Sequence, residues 1–176
     1  MVAVLLADGF EEIEALAVVD VLRRAAAPVL TVGVTGKKVT GAHGIAVQAD
    51  ETALPKDTDT LVLPGGQPGT AHLEQSAFVQ AVIDRAVQEN WHIAAICAAP
   101  SILGHRGLLQ GKRAVCSPGY ESELCGALVG DGGVAEDGLI LTAQGAGVAI
   151  DFALAIVARL QSPEKAGELR RAMRCR

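Results

Sequence analysis

Short apolar runs, each followed by a turn signal and a longer segment of mixed polarity, recur along the chain. The runs contain Val, Leu, Ile and Ala, and Gly, Asp or Pro residues commonly follow them. Runs of this length are typical of strands that are buried on both faces of a sheet. The predicted strands are residues 2–6, 29–34, 60–63, 93–96 and 139–142.

The segments between these runs have apolar residues at helical spacing or clear helix boundaries. Pro28 ends the first segment, and Ser76 is a typical N-cap for the second. In the second segment we expect Phe78 and Val87 to face the core, because they fall within its apolar pattern. The predicted helices are residues 10–27, 76–90, 149–160, a last helix from residue 163, and a short helix with Pro100 in its first turn.

This alternation of strands and helices predicts one α/β domain over residues 1–176, with a mostly parallel, doubly wound sheet. Residues 39–49 differ from the rest, because they alternate weakly in polarity and contain Gly41 and Gly44. We expect an edge hairpin or a β-excursion there.

Composition and charge narrow the possible functions. The chain has 176 residues, of which 50% are hydrophobic, and its net charge is −5 with no basic run longer than two residues. Such a surface does not favour nucleic acid, and the apolar stretches are too short to cross a membrane. The four cysteines form no CxxC pair or zinc spacing, so we expect reduced thiols, a cytoplasmic location and no metal site.

Cys97 follows a predicted strand and precedes a predicted helix. Small residues surround it, with Ile96 before it and Ala98 after it, which leaves room for a sharp nucleophile elbow. The start of a helix lowers the pKa of a thiol, so a reactive cysteine is one interpretation. The other is a buried core cysteine, since free cysteines are often buried.

Two more segments lie where parallel strands end, which is where sites of open α/β sheets form. Glu11 and Glu12 fit an ordinary solvated helix start, whereas Glu14 is in a phase that could direct it towards the neighbouring strand ends. A carboxyl beside a thiol could move protons, although an ordinary surface Glu is the alternative. Gly65 and Gly66 could expose amides to a ligand or simply form a tight turn.

These segments together resemble the ThiJ/PfpI superfamily. The resemblance is carried by LLADGFEEIE at residues 5–14, LVLPGG at 61–66, AAICAAP at 94–100 and DGLILT at 137–142. Within the superfamily the chain is most similar to the branch of the parkinsonism-associated protein deglycase and its bacterial relatives. The likeness extends from the first strand to about residue 160.

The resemblance implies a flavodoxin-like three-layer α/β sandwich of the class I glutamine amidotransferase-like type, with helices on both faces of a mostly parallel sheet. It implies Cys97 as the nucleophile and Glu14 as a protonated carboxyl bonded to its sulfur. Gly65, Gly66 and the Ala98 amide would form an anion-binding pocket. No cofactor is implied, and the usual assembly is a homodimer.

Two departures from the superfamily affect the expected chemistry. Its protease branch has a His directly after the nucleophile, where this chain has Ala98, so peptide hydrolysis lacks its general base. Animal members have a His on a later loop near the cysteine, and alignment back from Asp137 places Gly126 at that position. Among other candidates, His43 and Arg24 match family positions near the dimer face. His43 either reaches the partner's Cys97 pocket or is an ordinary residue of a surface turn, which is the more common case. Arg24 either helps to bind an anion or forms a surface ion pair, which is the default.

The resemblance leaves alternative functions. One is a cofactor-independent glyoxalase or deglycase that acts through Cys97 on methylglyoxal, related reactive carbonyls or glycated adducts. The second is an oxidative-stress sensor or chaperone-like protein, in which Cys97 is oxidised to a sulfinate. An intracellular protease or amidase ranks last. The same thiol serves the first two, so the sequence leaves both open.

Overall fold

A six-stranded sheet forms the centre of the computed structural model, which describes residues 1–175. The strand order is β2-β1-β5-β6-β10-β9, and all neighbours pair in parallel except β9, which is antiparallel to β10. The strands of this sheet are Val2–Leu6 (β1), Val29–Gly33 (β2), Thr60–Leu63 (β5), His92–Ile96 (β6), Val134–Asp137 (β9) and Ile140–Ala143 (β10).

Two small two-stranded sheets lie outside the central one. Lys38–Thr40 (β3) pairs with Ala46–Gln48 (β4) in the antiparallel hairpin that the sequence predicted. Arg113–Ala114 (β7) pairs in parallel with Leu128–Val129 (β8). The second pair was not predicted, because two-residue strands are too short to have a pattern.

Helices cover both faces of the sheet, which confirms the predicted three-layer, flavodoxin-like fold. One apolar cluster joins the first face to α1 and α5, and a second joins the other face to α3 and α4. The helices are Glu12–Arg24 (α1), Gly69–Gln75 (α2), Ala77–Gln88 (α3), Pro100–His105 (α4), Ala149–Leu160 (α5) and Pro163–Ala172 (α6).

Successive side chains of each buried strand point to opposite faces of the sheet, so one strand contributes to the apolar clusters on both faces. In β1, Val4 and Leu6 belong to the cluster with α1 and α5, whereas Leu5 belongs to the cluster on the opposite face. All three are fully buried, and each contributes about 1.5 to 3 kcal/mol through removal from water. A strand that is buried on both faces must be apolar throughout, which is why these runs are continuous.

The prediction for α3 was wrong at two positions. Phe78 is 37% exposed and Val87 is 45% exposed, although both fall within the apolar pattern of the helix. The residues that face the core are Val79, Val82, Ile83 and Ala86, at spacings of three, one and three. Phe78 and Val87 flank this stripe, so they lie outside the contact with the sheet.

The carboxyl ends of β1, β5, β6 and β10 lie side by side at one edge of the sheet, because these neighbouring strands are parallel. The segments that follow them contain the candidate residues of the sequence analysis. Within the described residues, no helix combines the length and the apolar character that a membrane crossing requires.

Candidate active site

Cys97 adopts a backbone conformation that is unusual for a residue with a side chain. Its φ is +65°, in the left-handed region, which costs roughly 1 to 3 kcal/mol. Two hydrogen bonds hold it there: its N–H donates to the Ala143 carbonyl over 2.9 Å, and its carbonyl accepts from the Ser117 N–H over 2.8 Å. The predicted elbow is therefore present, fixed by the end of β10 on one side and by the segment after β7 on the other.

Glu14 lies in the first turn of α1 and is only 1% exposed. Its Oε2 accepts a hydrogen bond of 2.9 Å from the Gly65 N–H, and the Ala146 amide also donates to the carboxyl. The same carboxyl is hydrogen-bonded to the Cys97 side chain. The structure thus brings together Glu14 and Cys97, the two residues predicted to carry the chemistry.

Gly65 must be a glycine because the two reactive residues approach it closely. A Cβ at this position would lie 2.6 Å from the Cys97 Cβ and 2.7 Å from the Glu14 Oε2. At Gly145 a Cβ would lie 3.8 Å from Glu14 Oε1 and 3.9 Å from Cys97 Sγ, so this glycine leaves space directly beside the pair.

Burial dominates the electrostatics of the pair. It raises the pKa of Glu14 to about 7, because the bonds from Cys97 and Gly65 offset only part of the lost hydration and the Glu11 charge adds to the shift. Burial, followed by the charge of Glu14 and its hydrogen bond, raises the pKa of the Cys97 thiol to about 11. Above pH 7 the proton therefore stays on the sulfur, and Glu14 is its carboxylate partner.

This result reverses one prediction. The start of α4 was expected to lower the pKa of the Cys97 thiol, but burial and the neighbouring carboxylate raise it. The Ser117 side chain and the Ala98 amide act in the expected direction by donating to the sulfur, yet they are outweighed. The Glu14 carboxylate, hydrogen-bonded to the thiol, is the group placed to accept its proton.

Ser117, which the sequence analysis missed, contacts Cys97 through both backbone and side chain. Gly126, which alignment placed at the histidine position near the cysteine, lies elsewhere: its carbonyl accepts from the Gly111 N–H, and a Cβ on it would meet the Gln110 side chain. Gly126 lies just before β8, whereas Ser117 lies three residues after the end of β7. In the sequence near Ser117, the one feature that could have indicated a position at a strand end is the short apolar run just before it.

The amides predicted to bind an anion have different partners. The Gly65 N–H donates to Glu14, so it holds the carboxyl rather than being free for a ligand. The Ala98 amide points at the Cys97 sulfur. Gly66 has a φ of +90° and packs against the turn before α1, where a Cβ would lie 2.4 Å from the Glu11 N. An anion-binding role for Ala98 and Gly66 stays a prediction.

Glu12 is not the solvated residue that the sequence suggested. It is 5% exposed, and its Oε1 accepts from the His43 N–H over 2.8 Å while its Oε2 lies 2.8 Å from the His43 Nδ1. Burial raises its pKa, but these bonds outweigh burial and hold the value below the ordinary one. His43 is therefore paired within its own chain, although 69% of its side chain remains exposed.

Glu11, Glu12 and His43 place possible metal-ligand atoms within 4.8 Å of one another. Each carboxylate already has a structural partner, since Glu11 Oε2 accepts from the Glu14 N–H and Glu12 binds the hairpin. Arg24 lies ten residues after Glu14, about 15 Å along α1, and pairs with Asp20 over 2.7 Å. It does not contribute to the site of its own chain.

Comparison with known proteins relates this geometry to a family. The family model described as DJ-1/PfpI matches residues 1–159. Protein DJ-1 homolog A of Arabidopsis thaliana is 37% identical over 173 residues, which cover 93% of this chain but only 44% of that protein. The chain thus spans less than half of this relative, whereas its match to protein dj-1beta of Drosophila melanogaster, at 34% identity, covers 92% of the relative.

Two relatives are named for an activity. A glutathione-independent glyoxalase of Caenorhabditis elegans is 31% identical, with 90% of this chain and 87% of that protein covered. A deglycase of Pyrococcus abyssi is 33% identical, with 72% and 77% covered. Among solved structures, oxidised DJ-1 of Toxoplasma gondii has a TM-score of 0.92 at 35% identity, covering 98% of this chain and 96% of that one.

Replacement of Glu14 tests the shared-proton arrangement. In Glu14→Gln we expect the upper midpoint of Cys97 alkylation by iodoacetamide to fall below pH 11, because the negative neighbour that raises the pKa of the thiol is gone. In the wild type the alkylation rate should also rise near pH 7, where the Glu14 carboxyl ionises and can accept the thiol proton. This lower step should be absent from the variant. Mass spectrometry of the Cys97 peptide measures both. An unchanged or higher upper midpoint would contradict the arrangement.

Proposed function

The chain belongs to the DJ-1/PfpI family, and we propose that it is a cofactor-independent, cysteine-dependent glyoxalase or deglycase that acts on methylglyoxal, related reactive carbonyls or glycated adducts. The observation that carries the proposal is the contact between a buried carboxyl, Glu14, and the Cys97 thiol at a strained elbow. The glyoxalase and deglycase names of two relatives support the same chemistry.

The first step is addition of the thiol to the aldehyde. The Cys97 sulfur bonds to the aldehyde carbon, and its proton passes to the Glu14 carboxylate. The carbonyl oxygen becomes an oxyanion and takes that proton back, which gives a hemithioacetal. A carboxyl with a pKa of about 7 suits both directions of transfer near neutral pH, because neither form is strongly favoured.

The second step moves hydrogen within the substrate. Glu14 removes the hydrogen of the former aldehyde carbon as a proton and returns it to the neighbouring ketone carbon, through an enediol whose hydroxyl proton moves between the two oxygens. The first carbon is oxidised to a thioester and the second is reduced to an alcohol, so no external oxidant is required. Water then cleaves the carbon–sulfur bond, releasing lactate and the free thiol.

The same residues support a protease function less well than they support a glyoxalase function. Ala98 follows Cys97, and it is a methyl side chain with no proton to exchange. The side chains bonded to the sulfur are those of Glu14 and Ser117. A carboxyl that serves as the only general base suits a substrate with an acidic carbon-bound hydrogen better than it suits an amide leaving group.

Lactate production from methylglyoxal tests this proposal. Purified, reduced wild-type protein should form lactate without glutathione or metal, and Cys97→Ser should lower kcat by about 100-fold or more because the nucleophile is lost. Cys125→Ser is the matched control, since Cys125 is exposed, and should retain full activity. Absence of lactate with the reduced wild-type protein would remove the glyoxalase function.

A second candidate function is sensing of oxidants. Hydrogen bonds from the Ala98 amide and the Ser117 side chain reach the Cys97 sulfur, and such donors would also stabilise the oxygens of a sulfinate. All four cysteines are free, which is consistent with the reducing cytoplasm that we propose as its location.

Graded peroxide treatment tests the sensing function. We expect Cys97 to gain two oxygen atoms before the exposed Cys125 is modified, because Glu14 can accept its proton and polar groups hold the product. Intact and peptide mass spectrometry gives the order of modification. Oxidation of Cys125 ahead of Cys97 would count against a sensor.

We also propose a homodimer that uses the face around Glu12. Two exposed isoleucines belong to this face, Ile13 with 57% and Ile45 with 54% exposure. The backbone amides of His43 and Ile45 both donate to Glu12, which precedes Ile13 in the chain. Exposed apolar residues that cluster next to a site are typical of protein interfaces. A contribution of His43 to the partner's Cys97 pocket belongs to this proposal.

Charge substitution on this face tests the dimer. Light scattering should give a dimer for the wild type and a monomer for Ile45→Glu, because the charge would have to be buried in the interface. Leu128→Glu is the matched control on β8, where Leu128 is 62% exposed, and should remain dimeric. A wild-type monomer, or equal effects of both variants, would contradict the proposed interface.

A further inference from the structure

Three hydrogen bonds form a closed ring that connects the start of α1 to the loop after β5. The Glu11 N–H donates to the Gly65 carbonyl over 2.9 Å. The Gly65 N–H donates to the Glu14 Oε2, also over 2.9 Å, and the Glu14 N–H donates to the Glu11 Oε2 over 2.8 Å. Each residue therefore both donates and accepts, and the Glu14 carboxyl cannot turn away from Cys97 without breaking the ring.

Glu11 contributes to this ring in two separable ways. Its side chain is the N-cap of α1, where an oxygen that accepts from an amide fixes the first turn. Its negative charge also acts on the Glu14 carboxyl and favours the protonated form. An amide in place of the carboxylate would preserve the first contribution and remove the second.

The charged or titratable groups that face Glu14 are few. Cys97 reaches it from the end of β6 and Glu11 from the turn before α1, while the loops after β5 and β10 present only the amides of Gly65 and Ala146. Within the described residues, the basic side chain that comes within 4.0 Å of Glu11 is that of His43, whose Nδ1 lies 3.9 Å from Glu11 Oε1. Protonated His43 would offset part of the Glu11 charge.

We propose that Glu11 is the positioning residue of the Cys97–Glu14 pair, holding the Glu14 carboxyl against the sulfur through its N-cap hydrogen bond and placing a negative charge beside that carboxyl. This inference rests on the proposed function for its consequence in catalysis. The ring itself belongs to the resting protein, so its effect on Cys97 can be measured without any turnover.

The test compares Glu11→Gln, Glu11→Ala and the matched control Asp20→Asn through the pH profile of Cys97 alkylation. Asp20 lies on the same helix and pairs with Arg24, so its substitution removes the same charge away from the ring. In both Glu11 variants we expect the lower midpoint, near pH 7 in the wild type, to fall by about 0.5 to 1 pH unit. Asp20→Asn should leave it in place.

The two Glu11 variants should differ in the rate of Cys97 alkylation above the lower midpoint. Glu11→Gln retains an oxygen that can accept from the Glu14 N–H, so the height of the lower step should stay close to that of the wild type. Glu11→Ala loses the cap, and the height should fall about tenfold as Glu14 leaves the sulfur, with thermal unfolding recorded to show that the variant is folded. The same shifts are expected in a His43→Ala background, where the nearby imidazole cannot titrate.

The outcomes separate this inference from the proposed function. An unmoved midpoint in Glu11→Gln, or an equal shift in Asp20→Asn, would overturn the charge contribution. Equal step heights in the Gln and Ala variants would overturn the positioning contribution. Failure of the wild type to produce lactate would remove the glyoxalase function and leave these measurements valid, because iodoacetamide alkylation requires no substrate.

Discussion

The contact between the Glu14 carboxyl and the Cys97 thiol depends on both groups being withdrawn from water. Burial raises the pKa of each, to about 7 and about 11, so between these two pH values the pair retains one proton, which the hydrogen bond between the two side chains holds. The surrounding structure serves this contact. Gly65 makes room for it, and the carbonyl of Ala143 and the amide of Ser117 hold the elbow that presents the sulfur.

In the proposed function, Glu14 acts as the base and Cys97 as the nucleophile. A thiol with a raised pKa is a weak nucleophile until its proton is removed, because the thiolate is the reactive form. It becomes nucleophilic when an electrophile is held close enough for the proton to move to Glu14 in the same event. This explains why a buried carboxyl with a near-neutral pKa, rather than a helix start alone, is the central feature of the site.

Much of this could be predicted from the sequence, for identifiable reasons. The buried strands are continuous apolar runs, and Cys97 lies between such a run and Pro100, so both the fold and the elbow followed from pattern. The direction of the pKa shift at Cys97 could not be predicted, because it depends on burial and on the distance to Glu14. Ser117 and the ring through Glu11 were also missed, since both depend on contacts between segments far apart in sequence.

The alignment error at Gly126 has a similar cause. Counting back from Asp137 assumes a fixed loop length, but the loop between β7 and β9 is not constrained by the sheet and cannot be counted reliably. The structure places Gly126 between β7 and β8, where its carbonyl accepts from the Gly111 N–H, and Ser117 next to the sulfur.

Carbon-13 NMR titration of the Glu14 carboxyl, in the wild type and in Cys97→Ala, tests the shared proton most directly. The account predicts a midpoint near pH 7 in the wild type and a higher one in the variant, because the hydrogen bond from Cys97 lowers the pKa of Glu14. A midpoint near the ordinary value of 4.5 in both proteins would show that the carboxyl is hydrated and independent of the sulfur, and would contradict the account.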